Sequence, residues 1–260
     1  MKFNREFANQ IIDDLINCVD TASKEIMQIY NSDNFETSDK ADGSPLTLAD
    51  KASNQIITEG LKKITPDIAV ISEETFEDTI LKALPNLYWL VDPLDGTREF
   101  INKNDEFTVN IALIEDRKPV FGIVAAPVFE KCWHGSIFDN YHSDKSIPDV
   151  LRIVMSKSHK SDNDKSFLNY LNEKGVNYKI IEKGSSLKLC AIADNEADIY
   201  PRFGPTSEWD IAAAHSVLSA YGGCVLKVED LSDLSYAKKE SILNPYFICC
   251  LLYTSPSPRD

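Results

Sequence analysis

Residues 88–100 read Tyr-Trp-Leu-Val-Asp-Pro-Leu-Asp-Gly-Thr-Arg-Glu-Phe. The apolar residues that open this stretch are typical of a buried strand, which we expect to end at Asp92. Pro93 cannot extend a central ladder and Gly96 permits a turn, so Asp92 and Asp95 are predicted to converge on one point. Convergent carboxylates repel one another unless a cation lies between them, and Mg²⁺ accepts such oxygen ligands. The alternative is a surface turn with solvated acids.

A second apolar segment repeats this pattern upstream. Residues Asp67–Ser72 predict a strand, and it too ends in acids, Glu73 and Glu74. If both strands deliver carboxylates at their C-terminal ends, Glu73 joins Asp92 and Asp95 and supplies oxygen for one or more metal ions. A solvated loop is the alternative for the Glu pair.

Composition narrows the classes of partner. The chain has 260 residues, of which 43% are hydrophobic and 26% charged, as in an ordinary soluble globular protein. Its 27 basic and 41 acidic residues give a formal net charge of −14, which disfavours nucleic acids and anionic membrane surfaces. An anionic substrate is still possible, because metal ions reverse the sign of the field inside a site.

Cysteine usage indicates the compartment. The 6 cysteines show no C-x-x-C spacing, and neither a signal peptide nor a long apolar run is present. We expect a reduced, cytoplasmic protein without a transmembrane segment, and leave peripheral contact with the inner membrane open. The 4 histidines are scattered, which argues against a His-rich zinc site.

Periodicity predicts the elements of the first half. Apolar residues at three- and four-residue steps predict an amphipathic helix over residues 4–31 and a second helix over 47–64. Thr47 is the expected N-cap, with Asp50 at N3, and Asp50 could do no more than cap that helix. Strands are expected at 107–115, 119–128 and 132–138, the first two forming a hairpin.

A polar segment at 139–149 marks the expected domain boundary. We predict an α+β domain over 1–148 with an antiparallel sheet and the metal site, and a smaller α/β domain over 149–249. In that second half, strands are expected at 151–155, 177–182, 198–200 and 224–228, and helices at 162–174, 187–195 and 209–221.

The last residues stand apart. Residues 250–260 break from the preceding composition and resemble the translation of a sequencing-adapter read-through, so they are interpreted as a non-native tail. A natural proline-rich tail is the alternative.

Four motifs occur in one order over nearly the whole chain. They are Asp50 in a Thr-x-Ala-Asp setting, Ser72-Glu-Glu, Asp92-Pro-Leu-Asp-Gly-Thr97 and Trp209-Asp210. This set resembles the lithium-sensitive phosphomonoesterase superfamily that includes inositol monophosphatase and fructose-1,6-bisphosphatase. The resemblance implies the layered α/β (α+β) sandwich of these sugar phosphatases, with the site in the cleft between two domains.

Further segments resemble one branch of that superfamily, the 3′(2′),5′-bisphosphate nucleotidases of the bacterial sulfur-assimilation type. They are Arg-Glu-Phe at 98–100, Val-Met-Ser-Lys-Ser-His at 154–159, Gly-Ser-Ser-Leu-Lys-Leu-Cys at 184–190, Tyr-Pro-Arg-Phe-Gly-Pro at 200–205 and Leu-Asn-Pro at 243–245. Two departures are a short segment at 133–148 and a final strand that is cut where the adapter-like tail begins.

The resemblance implies roles for individual acids. The metal ligands would be Glu73, Asp92, Asp95, Asp210 and the main-chain carbonyl of Leu94. They would hold two or three Mg²⁺ ions, with Mn²⁺ as a substitute and Li⁺ as an inhibitor. The catalytic residues would be Asp50, Thr97 and Glu73, with Asp50 and Thr97 forming a proton relay. For Asp210, complementing its helix dipole is the alternative.

The resemblance also implies substrate contacts. The scissile phosphate would be contacted by Asp95, Gly96, Thr97 and Asp210, and the nucleotide by Ser158 and His159. The ribose and the second phosphate would be contacted by Gly184, Ser185 and Lys188. The mouth of the site would be lined by Arg202 and Glu208. Alternatives are a structural ion pair for Arg202, a solvated helix position for Lys188 and a loop cap for His159.

The activity implied is magnesium-dependent hydrolysis of the 3′-phosphate of adenosine 3′,5′-bisphosphate to AMP and phosphate in sulfur assimilation, extending to the sulfated relative PAPS and its conversion to APS. Inositol-1-phosphate hydrolysis is the enzymatic alternative, and fructose-bisphosphatase activity is disfavoured by the chain length. Alternatives from other classes are a non-catalytic nucleotide or metal sensor and a purely structural protein. The expected partner is a small nucleotide bisphosphate, and the chain is expected to be a monomer or homodimer.

Overall fold

The structure is a computed structural model that describes residues 2–32, 37–39, 43, 45–141, 148–157 and 161–251. The helices are α1 (Arg5–Tyr30), α2 (Leu48–Ile64), α3 (Thr97–Ile101), α4 (Asp162–Glu173), α5 (Leu187–Ala193) and α6 (Glu208–Ala220). The strands are β1 (Thr37–Asp39), β2 (Pro45–Thr47), β3 (Ala69–Ser72), β4 (Leu87–Asp95), β5 (Thr108–Glu115), β6 (Lys118–Ala126), β7 (Lys131–Ser136), β8 (Leu151–Met155), β9 (Tyr178–Glu182), β10 (Ile199–Arg202), β11 (Gly223–Lys227) and β12 (Phe247–Leu251).

Two five-stranded sheets form the frame of the molecule. The first has the order β3-β4-β5-β6-β7, and the second has the order β11-β12-β10-β8-β9. The boundary predicted at 148/149 falls between β7 and β8, where the chain passes from the first sheet to the second. The first sheet was expected to be antiparallel, but β3 runs parallel to β4, so that sheet is mixed.

Helices cover these sheets in layers. The apolar faces of α1 and α2 pack on one side of the first sheet, where Leu15, Ile57 and Trp89 are fully buried. Helices α5 and α6 lie between the two sheets in a second core cluster, and α4 packs on the far side of the second sheet. The layered α/β fold predicted from the sequence is therefore confirmed.

Helix α6 lies unusually close to the first sheet. A Cβ atom on Gly122 of β6 would lie 2.2 Å from the carbonyl oxygen of Ala213. Glycine on the strand and alanine on the helix therefore permit backbone contact. This contact brings the N-terminal end of α6, with Asp210, towards the C-terminal end of β4.

Two predicted boundaries are corrected by the structure. Strand β4 does not end at Asp92 but continues to Asp95, and its partners on β5 are Asn110 for Asp92 and Thr108 for Asp95. From Asp92 to Asp95 the chain advances three residues along β4 but only two along β5, so β4 contains a bulge. Pro93 lies in this bulge, where no ladder hydrogen bond is required of it. Strand β12 includes residues 250 and 251, so the tail predicted from 250 begins inside a strand.

The first two helices agree with the periodicity. Helix α1 is one residue shorter at each end than predicted, and α2 begins after its expected N-cap, Thr47, with Asp50 at N3. None of the helices in the described part of the chain is both long and apolar enough to cross a membrane.

Candidate active site

Strand pairing brings the first two acids together. β3 and β4 are parallel with Ser72 opposite Val91, so the residues that come next, Glu73 just after β3 and Asp92 within β4, lie side by side. Burial raises the pKa of Asp92, and the charges of Glu73, Asp95 and Asp210 raise it further. A hydrogen bond between the Asp92 and Glu73 carboxyl groups acts in the same direction. The predicted convergence of acids at strand ends is therefore present in the structure.

The bulge in β4 directs the third acid into the same place. The Asp95 carboxylate accepts long hydrogen bonds from Thr108 Oγ1 and Asn110 Nδ2, both at 3.4 Å. The Leu94 amide donates to Asp92 Oδ1 at 3.1 Å, which fixes the backbone between the two acids. Loss of hydration on burial raises the pKa of Asp95 to about 6.

The fourth acid comes from the other half of the chain. Asp210 lies in the first turn of α6, and its Oδ2 accepts the backbone N–H of Ser207 at 2.9 Å. It therefore forms a capping-box contact with Ser207, and its place in the first turn also fits the helix-dipole alternative. The Asp210 pKa is nevertheless raised by burial and by the neighbouring charges of Asp95 and Glu73. One side chain thus serves both as a cap and as a member of the acidic cluster.

The acidic cluster fits a hard divalent cation. Its donors are carboxylate oxygens together with the main-chain carbonyl of Leu94, which are the oxygen ligands that Mg²⁺ takes. Burial and, after it, repulsion from neighbouring carboxylates raise the pKa values of Asp92 and Asp210, and a bound cation would relieve that repulsion. Among the described residues, no three His, Cys, Asp or Glu side chains are already closed into a ligand set.

A hydrogen-bonded pair lies beside this cluster. Thr97 Oγ1 donates to Asp50 Oδ1 at 3.0 Å and also lies 3.3 Å from the Leu94 carbonyl oxygen. The other Asp50 oxygen accepts the Thr47 amide at 2.8 Å and the Thr47 hydroxyl at 2.6 Å. Asp50 is only 1% exposed. The capping box of α2 therefore holds Asp50 in place with one oxygen bonded to Thr97.

Two adjoining cavities open beside these groups. The larger, of about 770 Å³, is lined by predicted site residues Glu73, Gly96, Thr97, Arg202 and Asp210. The smaller, of about 140 Å³, is lined by Asp95, Gly96, Ser185, Lys188, Arg202 and Asp210. The structure thus gathers most of the sequence-predicted residues around one cleft.

Lys188 is a buried cation. It is 8% exposed, and its Nζ donates to the Ser185 carbonyl oxygen at 2.6 Å. Burial lowers the Lys188 pKa to about 8, although Asp95 opposes that shift. The solvated position offered as its alternative is therefore wrong.

Two polar atoms beside Lys188 have no hydrogen-bond partner in the part of the chain that the structure describes. Arg202 Nε and Ser185 Oγ are buried and make no hydrogen bond within the described structure, and both residues line the 140 Å³ cavity. Arg202 also donates to the Pro205 carbonyl oxygen at 2.9 Å, and no described carboxylate forms a salt bridge with it. Since buried polar groups are normally satisfied, these donors suit an anionic or hydroxyl-bearing ligand.

One predicted contact is wrong and two others cannot be placed. Glu208 was expected at the mouth of the site, but it is fully buried, forms a salt bridge with Lys238 and accepts the Ala237 amide at 2.8 Å. It therefore ties α6 to the segment before β12. Ser158 and His159 lie outside the described residues.

Asn110 is a site residue that was not predicted from the sequence. Its side-chain amide lies 3.4 Å from Asp95 Oδ2, 3.1 Å from Ser186 Oγ and 3.4 Å from the Asp210 carbonyl oxygen. Asn110 therefore links three parts of the site. The available signal was a polar residue within the apolar run of β5, because a buried amide needs partners.

Comparison with known proteins gives this geometry a context. The model of the inositol monophosphatase family matches residues 8–248. The 3′(2′),5′-bisphosphate nucleotidase CysQ of Salmonella typhimurium is 42% identical over 235 residues, covering 87% of this chain and 94% of the relative. Its namesake in Escherichia coli strain K12 is 39% identical over 246 residues, covering 91% of this chain and 98% of the relative.

Solved structures agree with the sequence matches. CysQ from Bacteroides thetaiotaomicron, described as a bacterial member of the inositol monophosphatase family, superimposes with a TM-score of 0.79 at 33% identity. The match covers 92% of this chain and 96% of that one. The likeness therefore extends over most of both chains.

Proposed function

Because this chain belongs to the inositol monophosphatase family, we propose that it hydrolyses the 3′-phosphate of adenosine 3′,5′-bisphosphate to give AMP and phosphate. The observation that carries the proposal is the Thr97–Asp50 hydrogen bond of 3.0 Å beside the cluster of acids. The names of the relatives at 39% and 42% identity support the choice of a nucleotide bisphosphate. The same site would convert PAPS to APS, in sulfur assimilation.

The residues that would hold magnesium are Glu73, Asp92, the Leu94 carbonyl, Asp95 and Asp210. Magnesium ions supply positive charge at the scissile phosphate and lower the pKa of the attacking water. We propose that the activity requires two or three Mg²⁺ ions, that Mn²⁺ can replace them, and that Li⁺ inhibits the activity. The raised pKa values of Asp92 and Asp210 support this assignment, since like charges gathered in one place favour a cation.

Thr97 and Asp50 would handle the proton of the attacking water. An alcohol is a weak base by itself, but Thr97 can accept a proton while passing its own to Asp50 Oδ1 along the existing hydrogen bond. The two bonds from Thr47 hold the other Asp50 oxygen, so the carboxylate keeps its orientation during this transfer. Asp50 is thus a positioned acceptor rather than a free surface acid.

The second half of the chain would bind the remainder of the substrate. Lys188 supplies a buried positive charge, and the unpartnered donors of Ser185 and Arg202 lie on the same cavity. An ionised phosphate beside these groups would satisfy them and would keep Lys188 protonated. This arrangement favours a bisphosphate over a monophosphate. The free thiols of its six cysteines suit a reducing compartment, and we propose that this is the cytoplasm.

The test is phosphate release from adenosine 3′,5′-bisphosphate and inositol 1-phosphate, with Mg²⁺ and with EDTA. We expect fast, magnesium-dependent release from the nucleotide and a loss of about 100-fold or more in Asp92→Asn. Asp67→Asn, an exposed acid just before β3, is the matched control and should leave turnover unchanged.

Each contrary result identifies a different error. Preference for inositol 1-phosphate would keep the metal site and overturn the nucleotide assignment. Absence of turnover on either substrate would favour the non-catalytic sensor.

A further inference from the structure

Glu106 joins the two halves of the chain beside the cleft. It lies in the loop between α3 and β5, and its Oε2 accepts the backbone N–H of Gly184 at 3.0 Å. The same oxygen forms a salt bridge with Lys157 Nζ at 2.9 Å. One carboxylate oxygen of the first half therefore holds two separate segments of the second half.

The main chain at Glu106 is pressed against two glycines. A Cβ atom at Gly184 would lie 2.8 Å from the Glu106 carbonyl oxygen, and one at Gly96 would lie 3.2 Å from it. At Gly184 a side chain would require the backbone to shift, so glycine permits this close approach. Residue 106 is thus packed between the turn that follows Asp95 and the turn that precedes α5.

Each of the three segments held by Glu106 supplies a wall of the 140 Å³ cavity. Those wall residues are Gly96 itself, Ser156 next to Lys157, and Ser185 next to Gly184. Glu106 lies behind this wall and lines a separate cavity of about 200 Å³. It therefore contacts the supports of the substrate cavity without being among its described lining residues.

We propose that Glu106 is a positioning residue for the nucleotide, which it serves by fixing the Ser156 and Ser185 segments relative to Gly96. This inference rests on the proposed function. The Glu106 side chain is 16% exposed, so its bonds to Lys157 and Gly184 are shielded from water more than a surface ion pair would be. Loss of these bonds would loosen the walls around the nucleotide while leaving the acidic cluster and the Thr97–Asp50 pair in place.

The experiment measures binding of the product AMP by calorimetry in Mg²⁺, because AMP reports the nucleotide walls without turnover. Glu106→Gln keeps an acceptor for the Gly184 amide but removes the charge that pairs with Lys157, and Lys157→Met removes the other partner. We expect each to weaken AMP binding about fivefold, as the loss of one net hydrogen bond would. The double variant should bind no more weakly than about fivefold, because both changes break one interaction.

Two controls accompany these single and double variants. Lys183→Met removes a different salt bridge on the 200 Å³ cavity, the one that joins Lys183 to Glu196 at 3.1 Å. This variant should leave AMP affinity unchanged. Inhibition by inorganic phosphate reports the acidic cluster and should also be unchanged in Glu106→Gln. If Glu106→Gln does not fold, Lys157→Met carries the test, since that lysine side chain is 44% exposed.

The outcomes separate this inference from the proposed function. Unchanged AMP affinity in both single variants, or strictly additive losses in the double variant, would overturn the role of Glu106. Wild-type protein that binds AMP in the expected pattern but fails to release phosphate from the bisphosphate would support Glu106 and overturn the activity. Wild-type protein that does not bind AMP would overturn both.

Discussion

The two walls of the cleft are built in opposite ways. The acidic wall (Glu73, Asp92, Asp95 and Asp210) is held largely by backbone geometry, through the parallel pairing of β3 with β4, the bulge in β4 and the first turn of α6. The basic wall (Ser185, Lys188 and Arg202) comes from the second half and includes two buried polar atoms that have no hydrogen-bond partner among the described residues.

Burial shifts pKa values on both walls, but in opposite directions. It raises the pKa of Asp92 and lowers the pKa of Lys188 to about 8, because each group loses hydration of its charged form. Metal ions would relieve the acidic wall, and phosphate would relieve the basic wall. Under the proposed function, the acidic wall and the Thr97–Asp50 pair would carry the reaction, and the basic wall would select the substrate.

The largest effect is expected beside the acidic wall. Asp50→Asn removes the proton acceptor behind Thr97, so kcat should fall by about 100- to 1,000-fold with little change in KM. Steady-state kinetics on the nucleotide bisphosphate measure this split. Thr97→Ser keeps the hydroxyl and should retain most of the activity. A rise in KM at constant kcat in Asp50→Asn would move Asp50 to substrate binding.

The next effect concerns stability and separates Glu208 from the basic wall. Glu208→Gln weakens the salt bridge between the fully buried Glu208 and the partly buried Lys238, so the free energy of unfolding should fall by about 3 kcal/mol. Urea denaturation measures this change, with Glu196→Gln as a control at a more exposed pair. KM should stay near the wild-type value under conditions where the variant is folded. A large rise in KM without loss of stability would return Glu208 to the substrate site.

A smaller effect is expected for the basic wall itself. Lys188→Met removes a charge that would contact the second phosphate, so KM for the bisphosphate should rise about tenfold while kcat changes little. Lys165→Met, at an exposed lysine on α4 that pairs with Asp162, is the matched control. Equal loss of kcat and kcat/KM in Lys188→Met would place Lys188 in the reaction instead.

The smallest effect is a pH dependence of the same contact. Lysine is charged below its pKa, and the Lys188 pKa is lowered to about 8. KM for the bisphosphate should therefore rise a fewfold as the pH passes from 7 to 9, roughly following loss of that proton. Lys188→Arg stays charged over this range and should show a flatter profile. Identical profiles for the two proteins would exclude Lys188 as the titrating group.

Local patterns predicted three acids of the acidic wall, Glu73, Asp92 and Asp95, whereas Asp210 was assigned from the family resemblance. Apolar runs that end in Glu73 and Asp92 identify strand ends, and the Thr47 cap places Asp50 at N3 by spacing alone. The bulge in β4 depends on its pairing with β5, so the strand was predicted to stop too early. The acids could thus be chosen from the sequence, while their mutual geometry required the sheet.

Long-range contacts made other parts unpredictable. Glu208 pairs with Lys238, 30 residues further along the chain, and no local pattern distinguishes that pairing from exposure at the mouth. Asn110 reaches Ser186 and Asp210 across the two halves of the molecule. Such roles depend on how α5 and α6 pack between the sheets, which periodicity does not encode.

The most direct test of this division between the walls compares wild-type turnover of adenosine 3′,5′-bisphosphate with that of adenosine 3′-monophosphate in Mg²⁺. Both carry the phosphate to be cleaved, but only the bisphosphate has a second phosphate for the basic wall. We expect similar kcat values and a KM about tenfold lower for the bisphosphate. Equal KM values, or a preference for the monophosphate, would contradict this division.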